Sequence, residues 1–80
     1  MNPFRAKQPK AYATGVRFDE TLLHVQLSDG RAISAPLDWF PKLRNATPEQ
    51  RSHWKLIGKG IGIHWDDLDE DLSVAGLMGS

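Results

Sequence analysis

The chain has no cysteine among its 80 residues, which excludes disulfide bonds and thiolate metal sites. No apolar run approaches the roughly 18 residues that a membrane-spanning helix needs, and the basic N-terminus is not followed by the apolar stretch of a signal peptide. We therefore expect a cytoplasmic protein without a membrane segment. A chain of this length buries only roughly 60 to 65% of the surface that it exposes when unfolded, so dimerisation or a bound partner is the expected additional source of stability.

Lys and Arg are absent from the last seventeen positions, 64–80, which hold five of the ten acidic residues. Residues 1–59 carry all ten Lys and Arg and the other five Asp and Glu, so these two parts have formal charges of +5 and −5. Segregated charge creates a field that mixed charge would cancel. The acidic end therefore predicts a surface for a partner of opposite charge.

Residues 1–10 contain two prolines, three basic residues and no acidic residue, which predicts a flexible basic arm. Apolar and polar residues then alternate over 12–18 and 23–27, as is typical of half-buried strands. Asp29-Gly30 is a strong hairpin signal, and a third strand over 31–35 is expected to end at Pro36. Residues 11–80 are thus predicted to form a single domain that opens with a three-stranded antiparallel meander.

The second half of the chain carries helix signals and a glycine-rich strand region. A helical turn is expected from Leu37, limited by Pro41. Thr47 as N-cap, Pro48 as first helical residue and Gln50 as capping-box partner predict a helix that runs to about Trp54. One or two short strands are expected within 56–65, and a helical turn over 73–78. The predicted class is α+β, a small antiparallel sheet of the meander plus one or two C-terminal strands, with short helices on one face.

The acidic cluster of residues 66–71 invites comparison with a calcium site. Asp67, Asp69 and Asp71 match the first three ligands of an EF-hand loop. The match then fails, because Leu72 stands where that loop has Gly and Met78 where it has Glu. No metal or cofactor is therefore predicted, and two interpretations stay open: solvated turn acids, or acids that bind a partner.

Three other features could carry chemistry. The glycine-rich run 58–62 lacks the spacing of a P-loop, so glycines that tighten a hairpin are the better interpretation. His64 paired with Asp66 or Asp69 could act as an acid–base group, although a hydrogen-bonded structural histidine is commoner. The ten basic residues predict only weak nucleic-acid contact, because no recognition helix can be placed. Core packing is expected for most of four aromatic residues, Trp39, Phe40, Trp54 and Trp65.

Three blocks of residues resemble a known family. They are Asp29-Gly30, then Pro41, Leu43, Ala46, Thr47 and Arg51, and finally Gly60, 62–65 and 68–77. The pattern covers about residues 11–78 and is similar to the bacterial family catalogued as domain of unknown function 2442. The resemblance implies a compact α+β domain and one half of a two-gene pair of toxin–antitoxin type. It brings no catalytic residues, and the helix-turn-helix that some members carry is absent, so autonomous operator binding is not expected.

The leading hypothesis is a non-enzymatic protein-binding module, the antitoxin of a toxin–antitoxin pair or a similar small inhibitor. Its acidic C-terminal segment is expected to cover a small basic protein partner, with carboxylates opposite Lys and Arg and apolar side chains as anchors. The predicted partner-binding residues are Trp65, Asp66, Asp67, Leu68, Asp69, Glu70, Asp71 and Leu72. The alternatives are a nucleic-acid-associated transcriptional regulator and a small nuclease-like enzyme that uses His64; a homodimer face also stays open.

Overall fold

The structure, a computed structural model, describes residues 11–78. These form two three-stranded antiparallel sheets with strand orders β1-β2-β3 and β4-β5-β6. The strands are β1 (Ala13–Phe18), β2 (Leu22–Leu27), β3 (Ala32–Pro36), β4 (Trp54–Ile57), β5 (Gly62–Trp65) and β6 (Glu70–Ser73). Between strands lie the helices α1 (Pro41–Arg44) and α2 (Pro48–Ser52) and two 3-10 turns, Leu37–Trp39 and Asp66–Leu68, and α3 (Val74–Leu77) follows β6. The predicted basic arm, residues 1–10, lies outside the described residues.

Turns close the first sheet where polar residues interrupt the alternation. Between β1 and β2, Oδ1 of Asp19 accepts the N–H groups of Thr21 and Leu22 at 2.9 and 2.8 Å, an Asx-type turn. Between β2 and β3, Gly30 takes a φ of +93°, which a residue without a Cβ adopts at little cost. Both hairpins therefore follow from local turn chemistry in the sequence.

Helix α2 begins as its capping signal predicts. Oγ1 of Thr47 accepts the Gln50 N–H at 3.1 Å, and Oε1 of Gln50 accepts the Thr47 N–H at 2.9 Å, so the capping box is confirmed. The helix ends at Ser52 and not near Trp54. Trp54 instead begins β4 and packs against the core, because burial of its ring outweighs continuation of an exposed helix.

The C-terminal half corrects the predicted sheet. The α+β class is confirmed in its general form, as two three-stranded antiparallel sheets with a few short helices. The prediction of a single sheet, with one or two strands added to the meander, was wrong, because β6 pairs with β5 and completes a second sheet. The acidic residues of β6 have low strand propensity, so this strand depends on its pairing partner and not on local preference.

One apolar core joins the two sheets. Leu23 and Val25 of β2, Ile63 and Trp65 of β5 and Leu43 of α1 are fully buried in it. The N–H of Ala13 also donates to the Gly60 carbonyl at 2.8 Å and links the first sheet to the β4–β5 turn. Burying a side chain of this kind contributes roughly 1.5–3 kcal/mol, so this shared core fixes β5, and with it the acidic segment.

Candidate functional site

The acidic segment, residues 66–72, is folded against β5. It forms the 3-10 turn Asp66–Leu68, a left-handed residue at Asp69 with φ +50°, and the first three residues of β6. The left-handed residue reverses the chain between the turn and the strand, a conformation that Asp tolerates better than most residues. The acidic end of the sequence is therefore part of the fold.

His64 lies between two carboxylates of this segment. Its Nε2 is 2.6 Å from Oδ1 of Asp66, and its Nδ1 bonds to Asp71, which is its cross-strand partner in β6. Oδ2 of Asp66 in turn accepts from Nζ of Lys55 at 2.6 Å, and Lys55 is the cross-strand partner of His64 in β4. A chain of alternating charge thus crosses the outer face of the second sheet.

The surroundings of His64 favour its protonated form. The hydrogen bond to Asp71, and then that to Asp66, raise the pKa of His64 above its ordinary value of 6.5. Lys55, and then His64, lower the pKa of Asp66 below 3.8. An imidazole whose two nitrogens both bond to carboxylates offers no free nitrogen to a substrate. The residue acts here as a positive charge that holds the segment, with Asp71 and not Asp69 as its second partner.

Asp67 is also held by a histidine. Its Oδ2 is 2.9 Å from Nδ1 of His53 at the end of α2. That hydrogen bond raises the pKa of His53 above 6.5. Three of the five acidic residues, Asp66, Asp67 and Asp71, are therefore engaged with basic side chains of this chain.

Asp69 and Glu70 differ from the other acids of the segment. Within residues 11–78, neither carboxylate forms an ion pair with a basic side chain. Oε1 of Glu70 accepts the adjacent Asp71 N–H at 3.2 Å, and the Asp69 carbonyl accepts from Nζ of Lys42 at 3.1 Å. The negative charge of the segment that no basic side chain of residues 11–78 neutralises is thus concentrated at Asp69 and Glu70, where β6 begins.

The three apolar residues of the predicted site lie at different depths. Trp65 is 0% exposed, and its Nε1 donates to the Arg51 carbonyl at 3.0 Å. Trp65 therefore belongs to the core and presents no surface for the partner contact predicted for it. Leu68 and Leu72 are half-buried and pack against the same core, so they anchor the segment to its own fold.

An aromatic side chain outside the predicted site lies next to β6. Trp39 is 70% exposed and borders a groove of about 360 Å³ lined by Trp39, Phe40, Asp71, Leu72, Ser73, Gly76 and Leu77. Core packing is confirmed for most of the four aromatics, since Trp65 lies in the core and Phe40 and Trp54 pack against it. Trp39 is the exception. The exposure of Trp39 could have been predicted from the residue spacing. A 3-10 turn repeats every three residues, so Leu37 and Phe40 take the inward positions and Trp39 does not.

The glycine-rich run 58–62 forms the β4–β5 turn. A Cβ on Gly60 would lie 2.4 Å from the Ala13 carbonyl oxygen, and Gly60 has a φ of +107°. Gly60 therefore allows the β4–β5 turn to approach the backbone of Ala13 in the same protein. This agrees with the hairpin interpretation and gives no support to a phosphate cradle.

The other histidine and the basic residues are engaged or dispersed. His24 on the first sheet bonds through Nε2 to Asp19 and through Nδ1 to Ser34, both at 2.7 Å. Arg51 donates to the carbonyls of Leu43 and Arg44 at 2.8 and 2.7 Å.

Within residues 11–78, no group of His, Cys, Asp or Glu side chains has the arrangement of a metal site. No helix in that range is long and apolar enough to span a membrane.

Comparisons with known proteins support the fold and give a family. A protein of unknown function from Rhodospirillum rubrum, solved by crystallography, matches at 32% identity and a TM-score of 0.74, over 89% of this chain and 88% of that one. An uncharacterized protein from Chromobacterium violaceum, solved by NMR, has the same fold at 24% identity and a TM-score of 0.72, over 95% of this chain and 69% of that one. No curated protein matches. The family model described as protein of unknown function (DUF2442) matches residues 13–80, and the chain belongs to that family.

Proposed function

We propose that the protein is a non-enzymatic binding module, the antitoxin of a toxin–antitoxin pair or a similar small inhibitor. It covers a basic surface on a small protein partner with three successive acids of its acidic segment, the exposed Asp69 and Asp71 and the half-buried Glu70. The observation that carries the proposal is the pair Asp69 and Glu70, whose carboxylates form no ion pair within residues 11–78. They directly precede Asp71 and Leu72, which line the groove next to the exposed Trp39.

The acids of the segment fall into two groups, and this difference supports the proposal. Asp66 and Asp67 are held by Lys55 and His53 and keep the segment in place. Asp69 and Glu70, which form no ion pair within residues 11–78, remain available for Lys and Arg of a partner. Complementary charge of this kind mainly accelerates association and selects the partner. Trp39 supplies an aromatic anchor in place of the buried Trp65, because exposed Trp is enriched among residues that dominate binding energy.

A nuclease-like role for His64 receives less support. Both of its ring nitrogens are occupied by Asp66 and Asp71, which would leave a general base without a free lone pair. The other alternative, a nucleic-acid-associated regulator, also receives less support, since three of the basic residues, Arg31, Arg44 and Lys55, form ion pairs with acidic side chains of the chain itself.

The test is affinity purification from the native host with tagged protein and two double variants. In one, Asp69→Lys and Glu70→Lys reverse the proposed surface. In the other, Glu20→Lys and Glu49→Lys make the same charge change at exposed acids elsewhere. Truncation after residue 65 is unsuitable, because it removes β6 and the buried Val74.

We expect one small basic protein to co-purify with the unaltered chain and with the Glu20/Glu49 variant, and to be lost from the Asp69/Glu70 variant. All chains are to be compared by circular dichroism. Equal recovery on both variants, or recovery of nucleic acid alone, would refute the proposal.

A further inference from the structure

Within residues 11–78, no strand covers the outer edge of β6. β6 is the last strand in the order β4-β5-β6, and only β5 pairs with it. The N–H of Val74 donates to the Ile61 carbonyl at 3.0 Å, directly beyond the last residue pair of that ladder, Gly62 and Ser73. In an antiparallel ladder hydrogen-bonded and non-hydrogen-bonded pairs alternate. The backbone groups of Leu72 therefore face β5, and those of Asp71 and Ser73 face the open edge.

Side chains already occupy part of this edge. Oε1 of Glu70 accepts the Asp71 N–H at 3.2 Å, and Nζ of Lys42 donates to the Asp69 carbonyl at 3.1 Å. By the alternation of the β5–β6 ladder the Asp71 carbonyl and the Ser73 N–H point away from β5, and outside the strand ladders and helices no hydrogen bond of residues 11–78 involves either group. In a parallel pair, a residue placed opposite Leu72 uses both of its backbone groups towards β6. Its N–H donates to the Asp71 carbonyl, and its carbonyl accepts from the Ser73 N–H. The two free groups thus match one residue of a parallel strand.

The groove described above runs along this same edge. Asp71, Leu72 and Ser73 form one wall, and Trp39 and Phe40 are among the lining residues contributed by the 3-10 turn and its end. Paired residues of neighbouring strands point their side chains to the same face, and successive residues alternate. A residue opposite Leu72 would therefore point towards the aromatic side, and its two neighbours would lie on the face of the Asp71 carboxylate.

We propose that the groove takes an extended segment of the partner as a fourth strand of the second sheet, parallel to β6, with Lys or Arg alternating with apolar side chains. The inference rests on the proposed function and specifies how the acidic surface is used. Main-chain hydrogen bonds at a sheet edge give affinity in such binding, and alternate side chains give specificity. The Asp71 carboxylate lies on the face of the basic positions, with its side chain 69% exposed, and supplies complementary charge for them.

The probe is a capped hexapeptide of alternating Lys and Val, titrated into the full-length protein and followed by amide NMR. Valine would pair opposite Leu72, so its N–H would donate to the Asp71 carbonyl, while the lysine N–H groups would face away. One peptide methylated at the valine nitrogens and one methylated at the lysine nitrogens have equal charge and composition. We expect the valine-methylated peptide to bind about tenfold more weakly, and the lysine-methylated peptide to bind like the parent.

A second readout comes from the protein. Hydrogen exchange of the Ser73 amide should slow when the parent peptide binds. Ser73→Pro removes that N–H, and Ser73→Ala is the matched control, because both lose the Oγ bond to the Gly76 N–H and only proline loses the backbone donor. We expect weaker binding by Ser73→Pro alone. If Ser73→Pro fails to fold, the methylated peptides test the proposal on the unaltered protein.

Equal affinity for the two methylated peptides with an unchanged Ser73 amide would overturn strand addition. That outcome leaves the proposed function to its own test, the Asp69→Lys and Glu70→Lys variant against the native partner. Absence of binding by the parent peptide up to about 1 mM would also overturn the inference. A second copy of the chain on this edge, detected as self-association by sedimentation with slow Ser73 exchange, would overturn the assignment to a partner segment.

Discussion

His64 and Asp71 are directly opposite each other on β5 and β6 and are joined by a hydrogen bond from Nδ1 of the imidazole to the carboxylate. The bond links β5, whose Ile63 and Trp65 are in the core, to β6, which carries acidic residues. It therefore couples the position of the acidic segment to the charge state of a single histidine. The same histidine bonds Asp66 from its other nitrogen, so both ends of the segment depend on it.

This coupling predicts a pH dependence of stability. The folded-state pKa of His64 is raised above 6.5, so its contribution is complete below pH 6.5 and is lost as pH rises through the raised pKa. The free energy of unfolding should fall over that window, measured by urea denaturation at several pH values. In His64→Gln the fall should be smaller, with a remainder from His53, whose pKa is also raised. An unchanged profile in the double variant His53→Gln, His64→Gln would contradict this account.

A second pH dependence is expected in acid. The pKa of Asp19 is lowered to about 2, first by the bond to His24 and then by the Thr21 and Leu22 N–H groups. A lowered pKa contributes stability that is present above 3.8 and lost as pH falls towards 2. Asp19→Asn keeps an acceptor oxygen for the turn and removes the charge. Thermal unfolding between about pH 4 and 2 should therefore be flatter for Asp19→Asn, and an identical slope would refute the role of Asp19.

Two tryptophans should separate stability from binding. Trp65 is fully buried and Trp39 is 70% exposed. Trp65→Ala is expected to cost about 3–5 kcal/mol in the free energy of unfolding, and Trp39→Ala less than about 0.5 kcal/mol. Trp39→Ala should instead weaken partner binding. Comparable destabilisation of the two variants in urea would show that Trp39 has a structural role.

Two glycines with similar backbone angles should respond differently to alanine. Gly30 has a φ of +93° with nothing within 4 Å of an added Cβ, whereas a Cβ on Gly60, at +107°, would lie 2.4 Å from the Ala13 carbonyl oxygen. Gly30→Ala should cost about 1–2 kcal/mol through the backbone angle. Gly60→Ala adds a steric conflict between the two sheets and should exceed about 3 kcal/mol. Equal costs in chemical denaturation would contradict the contact between Gly60 and Ala13.

Local signals predicted much of the fold. Thr47 and Gln50 form their capping box, and Asp29-Gly30 lies at the expected turn, because both depend on residues close in sequence. Strand β6 was not predictable in this way. Its four residues, Glu70–Ser73, have no apolar alternation of their own, and their conformation depends on register with β5 and on the charge of His64.

The candidate site was only partly predictable, because it too depends on residues that are distant in sequence. The acidic segment is visible as charge in the sequence, but which carboxylates are neutralised depends on Lys55, His53 and His64 in other elements. Trp39 and Trp65 look alike in composition, and only their positions on a 3-10 turn and on a core strand distinguish them.

The most direct test of the proposed function is the association rate of the purified partner with the protein, measured by stopped flow at two ionic strengths. Electrostatic steering by Asp69 and Glu70 predicts an association at least about tenfold slower for Asp69→Lys, Glu70→Lys at low salt, with the difference reduced at high salt. The matched variant Glu20→Lys, Glu49→Lys should associate nearly as fast as the unaltered chain. Equal slowing in both variants would mean that only net charge matters, and no slowing in either would contradict a partner-binding role for the acidic segment.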